Sequence, residues 1–566
     1  MNFSKDYSKI ILIFLFGYFL LLNIFQLSHQ HWTAILDQDL HYIYNSLLIS
    51  SGIEQEYKDH PAYTTFLILG SIYKFFSIFF DNFTIQEVAK SKNIDEILQT
   101  LFIIARVLNS IYFFLVALIM FNILKELNIK KNLCIFGILL LIFFGSTYEL
   151  LFRLRSEILS VLMFLLFLYF LIKFIKRKNK ITYCFISGFF FCLAMLAKIQ
   201  IIFLFITFLI SLPFLFNYFT ASENKRYLIQ NKRYYFFSLF FLCTLFVGYI
   251  TTQIILATYI TKFTDEPRFH FPQNIDFFLL SIFIIFYFFL IKLLSAKKKI
   301  NFTEIISTIS TIFLGYISCL IFIFFLDLIN LVPLNKLILL KLVNPILYMT
   351  SFNHEILLEL DKNIFLSLKD YFIGSLGFYS VNFNSVHIIP KILLIDNRIF
   401  FRSINLIIFV FLIYFLAKKI KNNNLVSFSI VLFFGIIIYY LSFNFRETHG
   451  YNIFIFPLYI ILALLILNKI EKKFVLIFCS LLSISFLSEI ISLSGLHKNH
   501  FSRESRIYGL CKIEKWKNSK NYFSNIKKTS FVNIYRDENA EKYFNLIFKF
   551  DDQFLIKYCD QMKNHK

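Results

Sequence analysis

The feature that most limits what this chain can fold into is a succession of apolar runs. Each is close to the roughly 20 residues a helix needs to cross a bilayer. They cover roughly 10–27, 101–123, 133–148, 158–175, 181–197, 199–219, 236–260, 277–294, 303–330, 402–417, 425–444, 451–468 and 473–492. Of 566 residues, 58% are hydrophobic and 16% are charged, against about a quarter charged in a typical soluble chain. The expected fold is an all-α polytopic membrane protein, a transmembrane helix bundle with about 13 crossings.

The net charge of +22 does not mark a nucleic-acid binder. The bases sit in short runs between apolar segments, as in cytoplasmic loops facing anionic lipid. Lys5 and Lys9 place the N-terminus inside, and residues Lys5 to Leu22 read as an uncleaved signal anchor. The runs "KELNIKKN", "KFIKRKNK", "NKRYLIQNKRY", "KKK", "KKIK" and "NKIEKK" then all fall on the cytoplasmic side. This parity holds only if a further apolar stretch, 61–80, does not cross. That stretch is read as a juxtamembrane or re-entrant helix within a first external loop, 28–100. A second external loop spans 331–400. Residues 1–494 form the transmembrane domain, and the tail 495–566 is a small extracytoplasmic domain.

The first external loop contains "LDQDLHYIYNSLLISSGIEQEYKDHPAY", with five carboxylates directly after the first crossing. Asp37 and Asp39 are the candidates for chemistry there. A carboxylate beside the membrane can deprotonate a hydroxyl or hold a divalent cation. Asp59 and His60 precede Pro61, a residue favoured at the first position of a helix. Asp59 reads as the cap of that helix, and Glu54, Glu56 and Lys58 as solvated charges.

Four more features face the same side. "FRLRSE" supplies Arg155 and Glu157, while Arg153 reads as an interfacial snorkel. Arg106, in "IIARVLNS", is a charge near the outer end of its crossing. It needs a partner, because a charge within a helix costs about 2.5–3.5 kcal/mol on insertion scales. Lys198 lies at an outer turn with no acid near it in sequence. "FRETHGY" adds Arg446, His449 and Tyr451, and the planar guanidinium of Arg446 suits a phosphate oxygen. Acids for base work and cations for an anionic leaving group, gathered on one face, suit transfer chemistry on a phosphate-linked lipid substrate.

The order of these motifs resembles the GT-C glycosyltransferases, particularly the bacterial aminoarabinose transferase and protein mannosyltransferase type. "LDQDLHYIYNSLLISSG" with "DHPAYTTFLILG", then "ARVLNS", "RLRSE", "GFFFCLAMLAKIQ" and "FRETHGY", carry the likeness. The chain departs from the family pattern in having Asp37-Gln-Asp39 in place of an acidic pair, Ala62 in place of a second proline, and Glu157 in place of Asp. The resemblance implies inverting sugar transfer from a polyprenyl-phosphate donor to a lipid, glycan or protein acceptor, in a bacterial inner membrane. It casts Asp39, with Asp37 second, as general base. Arg106, Lys198 and Arg446 would hold the donor phosphate. His60, Arg155, Glu157, His449 and Tyr451 would bind the acceptor or other substrate groups. Asp37, Asp39 and Glu157 are the ligands should a divalent cation take part. Membrane lipids are partners and nucleic acid is not.

Cysteines show no metal-binding spacing, so a zinc site is not expected. Cys511 and Cys559, in the tail, are candidates for a disulfide if that tail is external. Two other readings compete. A flippase or transporter would need polar groups lining a route across the membrane, and the interior segments carry almost none apart from Arg106. A polymerase or ligase of another type would place its key residues in a late loop.

Overall fold

A computed structural model describes residues 39–55, 62–91, 93–142, 154–177, 181–198, 201–223, 302–329 and 453–484, with short stretches and single positions elsewhere. Among the described residues the regular elements are helices: α1 (Asp39–Ser50), α2 (Tyr63–Phe76), α3 (Ile85–Lys90), α4 (Ile94–Glu126), α5 (Lys131–Ile142), α6 (Ser156–Arg177), α7 (Ile181–Ala197), α8 (Ile201–Glu223), α9 (Phe302–Leu328) and α10 (Phe456–Leu467). Three stretches are long and apolar enough to cross a membrane: Glu96–Glu126, Ser156–Lys176 and Glu304–Leu328. α5, α7 and α10 are shorter apolar helices. The architecture is all-helical and consistent with a membrane protein.

The contacts between helices fix their directions. α6 and α7 form an antiparallel hairpin, in which Ser160 Oγ donates to the Ala194 carbonyl at 2.9 Å. α7 and α9 run parallel, because Cys184 meets the Thr308 carbonyl (3.3 Å) and Gly188 lies against the Ile312 backbone one turn further along both helices. A Cβ at Gly188 would overlap the Ile312 carbonyl, and one at Gly315 would overlap the Phe185 carbonyl. Small residues that let backbones approach are how helices associate where no hydrophobic driving force separates them from lipid. α4 and α6 pack side by side and share their C-terminal ends, where Lys176 Nζ lies 3.2 Å from Glu126 Oε2. α5 and α10 are antiparallel, joined by Lys130 N–H donating to Asn468 Oδ1 at 3.1 Å.

These directions sort the helix ends into two sets. At one end meet the C-termini of α4, α6 and α10 and the N-termini of α5, α7 and α9. Asn128 caps α4 there with a left-handed φ of 57°. It accepts from Lys176 Nζ through its side chain at 3.3 Å and from Asn468 Nδ2 through its carbonyl at 3.1 Å. Lys125, Lys130, Lys131, Lys469 and Lys472 are exposed around it. At the other end lie the start of α6, the end of α7 and the three helices α1–α3.

α1, α2 and α3 occupy the loop expected to hold juxtamembrane helices. α1 ends in Gly52, whose φ of 75° lets Ile53 N–H reach back to the Leu48 carbonyl at 2.9 Å, a turn that a residue with a Cβ enters only at a cost. α2 has 14 residues and stops at Ser77. It is about 21 Å long, short of a hydrocarbon core of about 30 Å. Its start differs from the expected one. The helix opens at Tyr63, with Ala62 in the cap position and no side-chain cap, rather than at Pro61, while Asp59 lies outside the described residues. α3 carries a capping box in which Glu87 Oε2 accepts from Thr84 N–H (3.0 Å) and Thr84 Oγ1 accepts from Glu87 N–H (3.4 Å). α4 begins well before the expected 101, because Leu98 and Leu101 continue its buried stripe into the α1–α3 layer. α10 is shorter than the expected 451–468, with its first turn at Ile453–Phe454 tightened.

Candidate functional site

Glu157 is the second residue of α6 and sits in its first turn. An anion is favoured there by the unpaired N–H groups and the dipole of the helix. Lys198 is the residue after α7, held at the helix end by its N–H donating to the Ala194 carbonyl at 2.9 Å. The antiparallel hairpin therefore brings the first turn of one helix to the last turn of the next. Lys198 Nζ lies 3.0 Å from Glu157 Oε1, and both side chains are sealed from solvent at 1% and 0% exposure. Lys198, which has no acid near it in sequence, has one in space.

Arg155 directly precedes this turn, is buried, and lies close enough to act on Glu157 through its charge. Counted by themselves, Arg155, Glu157 and Lys198 carry one net positive charge. A buried pair of opposite charges loses more hydration than its attraction returns unless its geometry and remaining hydrogen bonds are good. Such a pair is weak evidence for stability and better evidence of a site.

Tyr42 ties this pair to the first loop. Its hydroxyl donates to Ser156 Oγ at 2.9 Å and accepts from Ser156 N–H at 3.2 Å. Burial pushes the Tyr42 phenol above its ordinary value, Lys198 pulls it down and Glu157 pushes it up, and the net shift is upward. The group therefore stays a neutral donor. Asp39 opens α1, and Tyr42 follows one turn later, a rise of about 5 Å. The helix that starts with Asp39 is thus bolted to the helix that starts with Ser156 and Glu157.

Thr64, in the first turn of α2, donates to the Leu193 carbonyl of α7 at 2.9 Å. The Tyr63 hydroxyl donates to the Pro333 carbonyl, just past α9, at 3.4 Å. α1 and α2 accordingly roof the end of the α6–α7 hairpin.

Arg106 lies on α4, 1% exposed, with its guanidinium 5.4 Å from the centre of the Phe102 ring. Counting equal lengths back along α4 and α6 from the Glu126–Lys176 contact reaches Arg106 on one helix and Ser156 on the other. The two stand at one level, about 30 Å from the basic end, which is the thickness of a bilayer's hydrocarbon core. Asn109 and Ser110, buried on the next turn of α4, add polar groups near that level.

Of the expected site residues, the structure brings Glu157 and Lys198 together, puts Arg155 beside them and sets Arg106 at their level on a neighbouring helix. The backbone of Asp39 starts the helix that Tyr42 fastens to Ser156. Asp37, His60, Arg446, His449 and Tyr451 lie outside the described residues, as do Cys511, Cys559, the tail 495–566 and nearly all of 331–400. Tyr42 and Ser156 are functional contacts that the sequence reading does not single out. A tyrosine buried by its ring and needing a partner for its hydroxyl is a signal in "LHYIYN", and a serine opening a helix before a glutamate is one in "RLRSE". Among the described residues no group of three or more His, Cys, Asp or Glu side chains is arranged to hold a metal. Comparison with known protein families, curated proteins and solved structures returns no match.

Proposed function

We propose that the protein is a glycosyltransferase that moves a sugar from a polyprenyl-phosphate donor to a lipid, glycan or protein acceptor, with inversion, on the extracytoplasmic face of a bacterial inner membrane. The observation that carries this reading is the sealed Glu157–Lys198 pair, tied through Ser156 and Tyr42 to the helix opened by Asp39. It joins the helix behind the carboxylate-bearing loop to a buried charge cluster at one level of the bundle. The exposed lysines of the opposite end support the orientation, since positively charged loops stay in the cytoplasm. The N-terminus is then cytoplasmic and the tail 495–566 extracytoplasmic.

In this mechanism Asp39, with Asp37 as second choice, takes the proton of the acceptor hydroxyl. The freed oxygen attacks the anomeric carbon from the side opposite the phosphate. The bond from that carbon to the phosphate oxygen breaks, and the configuration inverts. Negative charge gathers on the departing phosphate, where preorganised cations lower the barrier. Lys198 meets that charge, with Arg106 at the same level and Arg446 from the later loop, while Arg155 beside Lys198 binds the acceptor. Glu157 holds Lys198 in place before substrate arrives. His60, His449 and Tyr451 bind sugar or acceptor hydroxyls. Should a divalent cation take part, Asp37, Asp39 and Glu157 would hold it, and it would supply positive charge to the departing phosphate.

Mass spectrometry of envelope glycolipids from cells with and without this protein tests the activity. A glycolipid species that depends on the protein is expected. Asp39→Asn should lower its formation by about 100- to 10,000-fold while the protein still inserts. Unchanged glycolipids in cells lacking the protein would overturn the reading, and normal transfer by Asp39→Asn would remove Asp39 from it. Sugar transfer in detergent, where no bilayer exists to be crossed, separates the enzyme from a flippase.

A further inference from the structure

The last turn of α2 and the turn after it read "KFFSIFFD", from Lys74 to Asp81. Phe75, Ile78, Phe79 and Phe80 are 58%, 72%, 64% and 58% exposed. Their rings lean on one another and on the fold: Phe75 on Phe79 at 5.4 Å, Phe76 on Phe80 at 6.4 Å, and Phe76 on Phe83 at 5.4 Å. Four large apolar side chains displayed within six positions make a patch of the kind that marks a protein or membrane contact.

Two further observations choose between those partners. First, the N–H groups of the turn find their acceptors within it. Ser77 N–H reaches the Tyr73 carbonyl (2.8 Å), Ile78 N–H that of Phe75 (3.3 Å), and Phe79 and Phe80 N–H that of Phe76 (3.0 and 2.9 Å). Ser77 Oγ donates to the Lys74 carbonyl at 2.8 Å. These N–H groups need nothing from water, as backbone placed against hydrocarbon requires. Second, the depth is set. The Tyr73 hydroxyl donates to the Leu101 carbonyl of α4 at 3.0 Å. Leu101 lies about 37 Å along α4 from the Glu126–Lys176 contact. A bilayer's hydrocarbon core is about 30 Å thick, and about 40–45 Å with its headgroups. The patch therefore stands at the boundary between acyl chains and headgroups. Exposed Lys74 and Asp81 flank it as the polar edges an interfacial segment requires.

We propose that Phe75–Phe80 is a wedge whose partner is the bilayer surface at the site end of the bundle, entering about 5–10 Å into the headgroup–acyl boundary. It fastens α2 to the lipid. Through Thr64–Leu193 and Tyr73–Leu101 it holds the roof of the Glu157–Lys198 site at a fixed depth. The wedge stands on packing and burial alone and does not depend on sugar transfer.

Depth-resolved fluorescence quenching tests it. The full chain, with native Trp32 and Trp516 replaced by Phe, carries a single reporter, Phe79→Trp, in vesicles of phosphatidylcholine and phosphatidylglycerol. Lipids brominated near the headgroup should quench the reporter several-fold more than lipids brominated near the chain end, and aqueous iodide should have little effect. Ile78→Trp, on the same turn, should report the same order. Iodide quenching without a bromolipid effect would place the turn in water. Protection from both quenchers would mean that a second copy of the chain, or another of its segments, covers the patch. Either outcome overturns the proposal.

Discussion

One helix of this protein carries a Lys–Glu ion pair at each end, and the two differ in nearly everything except length. At the C-terminus of α6, Lys176 meets Glu126 at 3.2 Å with about a fifth of each side chain exposed. The lysine also finds the Glu126 and Asn128 oxygens, among exposed lysines. At the N-terminus, Glu157 meets Lys198 at 3.0 Å with almost no exposure, in company with Arg155 and Tyr42. The first pair lies where water and salt screen it, and pairs of that kind are worth little. The second has lost its hydration and is held by the α6–α7 hairpin, the helix N-terminus and a tyrosine from a distant loop. The same chemistry at a similar distance thus reports different things: one pair decorates an exposed helix end, and the other is a buried charge cluster held by three elements, which makes it the candidate site.

That contrast can be broken by substitution. Glu157→Gln should cost about 3–5 kcal/mol, because it leaves a buried ammonium without its counter-charge. The shift in denaturation midpoint in detergent measures it, and a loss under about 1 kcal/mol would mean the pair behaves as a surface pair. Replacing both partners, Glu157→Leu with Lys198→Met, should recover most of that loss, since an apolar pair avoids the desolvation cost. The sugar transfer proposed above should be lost in both variants, which separates the fold from the chemistry. Tyr42→Phe should cost about 1–3 kcal/mol by leaving the buried Ser156 N–H unpaired. The same variant should lower transfer without changing expression, if α1 must be held against α6. Glu126→Gln should change stability by about 0–1 kcal/mol, and less as salt is raised. A larger effect would put the two ends of α6 in one class.

Much of the helical layout is legible in the sequence. The expected 158–175 and 181–197 correspond closely to α6 and α7, because an apolar run bounded by "RLRSE", "KRKNK" and "AKIQ" leaves a helix little freedom in where to stop. The reading of α4 as starting at 101 was too short. Its first turns are polar on one face, and hydropathy cannot see a helix that leaves the apolar layer to pack beneath α1 and α3. α3 itself is too short for periodicity, yet "TIQE" carries the capping-box pattern. At the site, the charged residues stood out singly because they interrupt apolar sequence. Their pairing did not, since Glu157 and Lys198 are separated by the whole α6–α7 hairpin. Helices of similar length joined by a short basic segment bring the first turn of one to the last turn of the other, so hairpin geometry held this contact in principle. The Tyr42–Ser156 bond had no such route. It depends on how the first loop folds over the bundle.

Composition and the spacing of apolar runs were enough to determine that the described segments are helical, that three of them are long and apolar enough for a bilayer, and which charged side chains interrupt them. Those properties follow from each segment's own transfer energy and periodicity, which are local. Only the tertiary structure decided that Lys198 answers Glu157, that Tyr42 links both to the helix behind Asp39, and that Gly188 and Gly315 let α7 and α9 touch. Each of these depends on which helix lies beside which, and that is set by side-chain packing between segments distant in the chain.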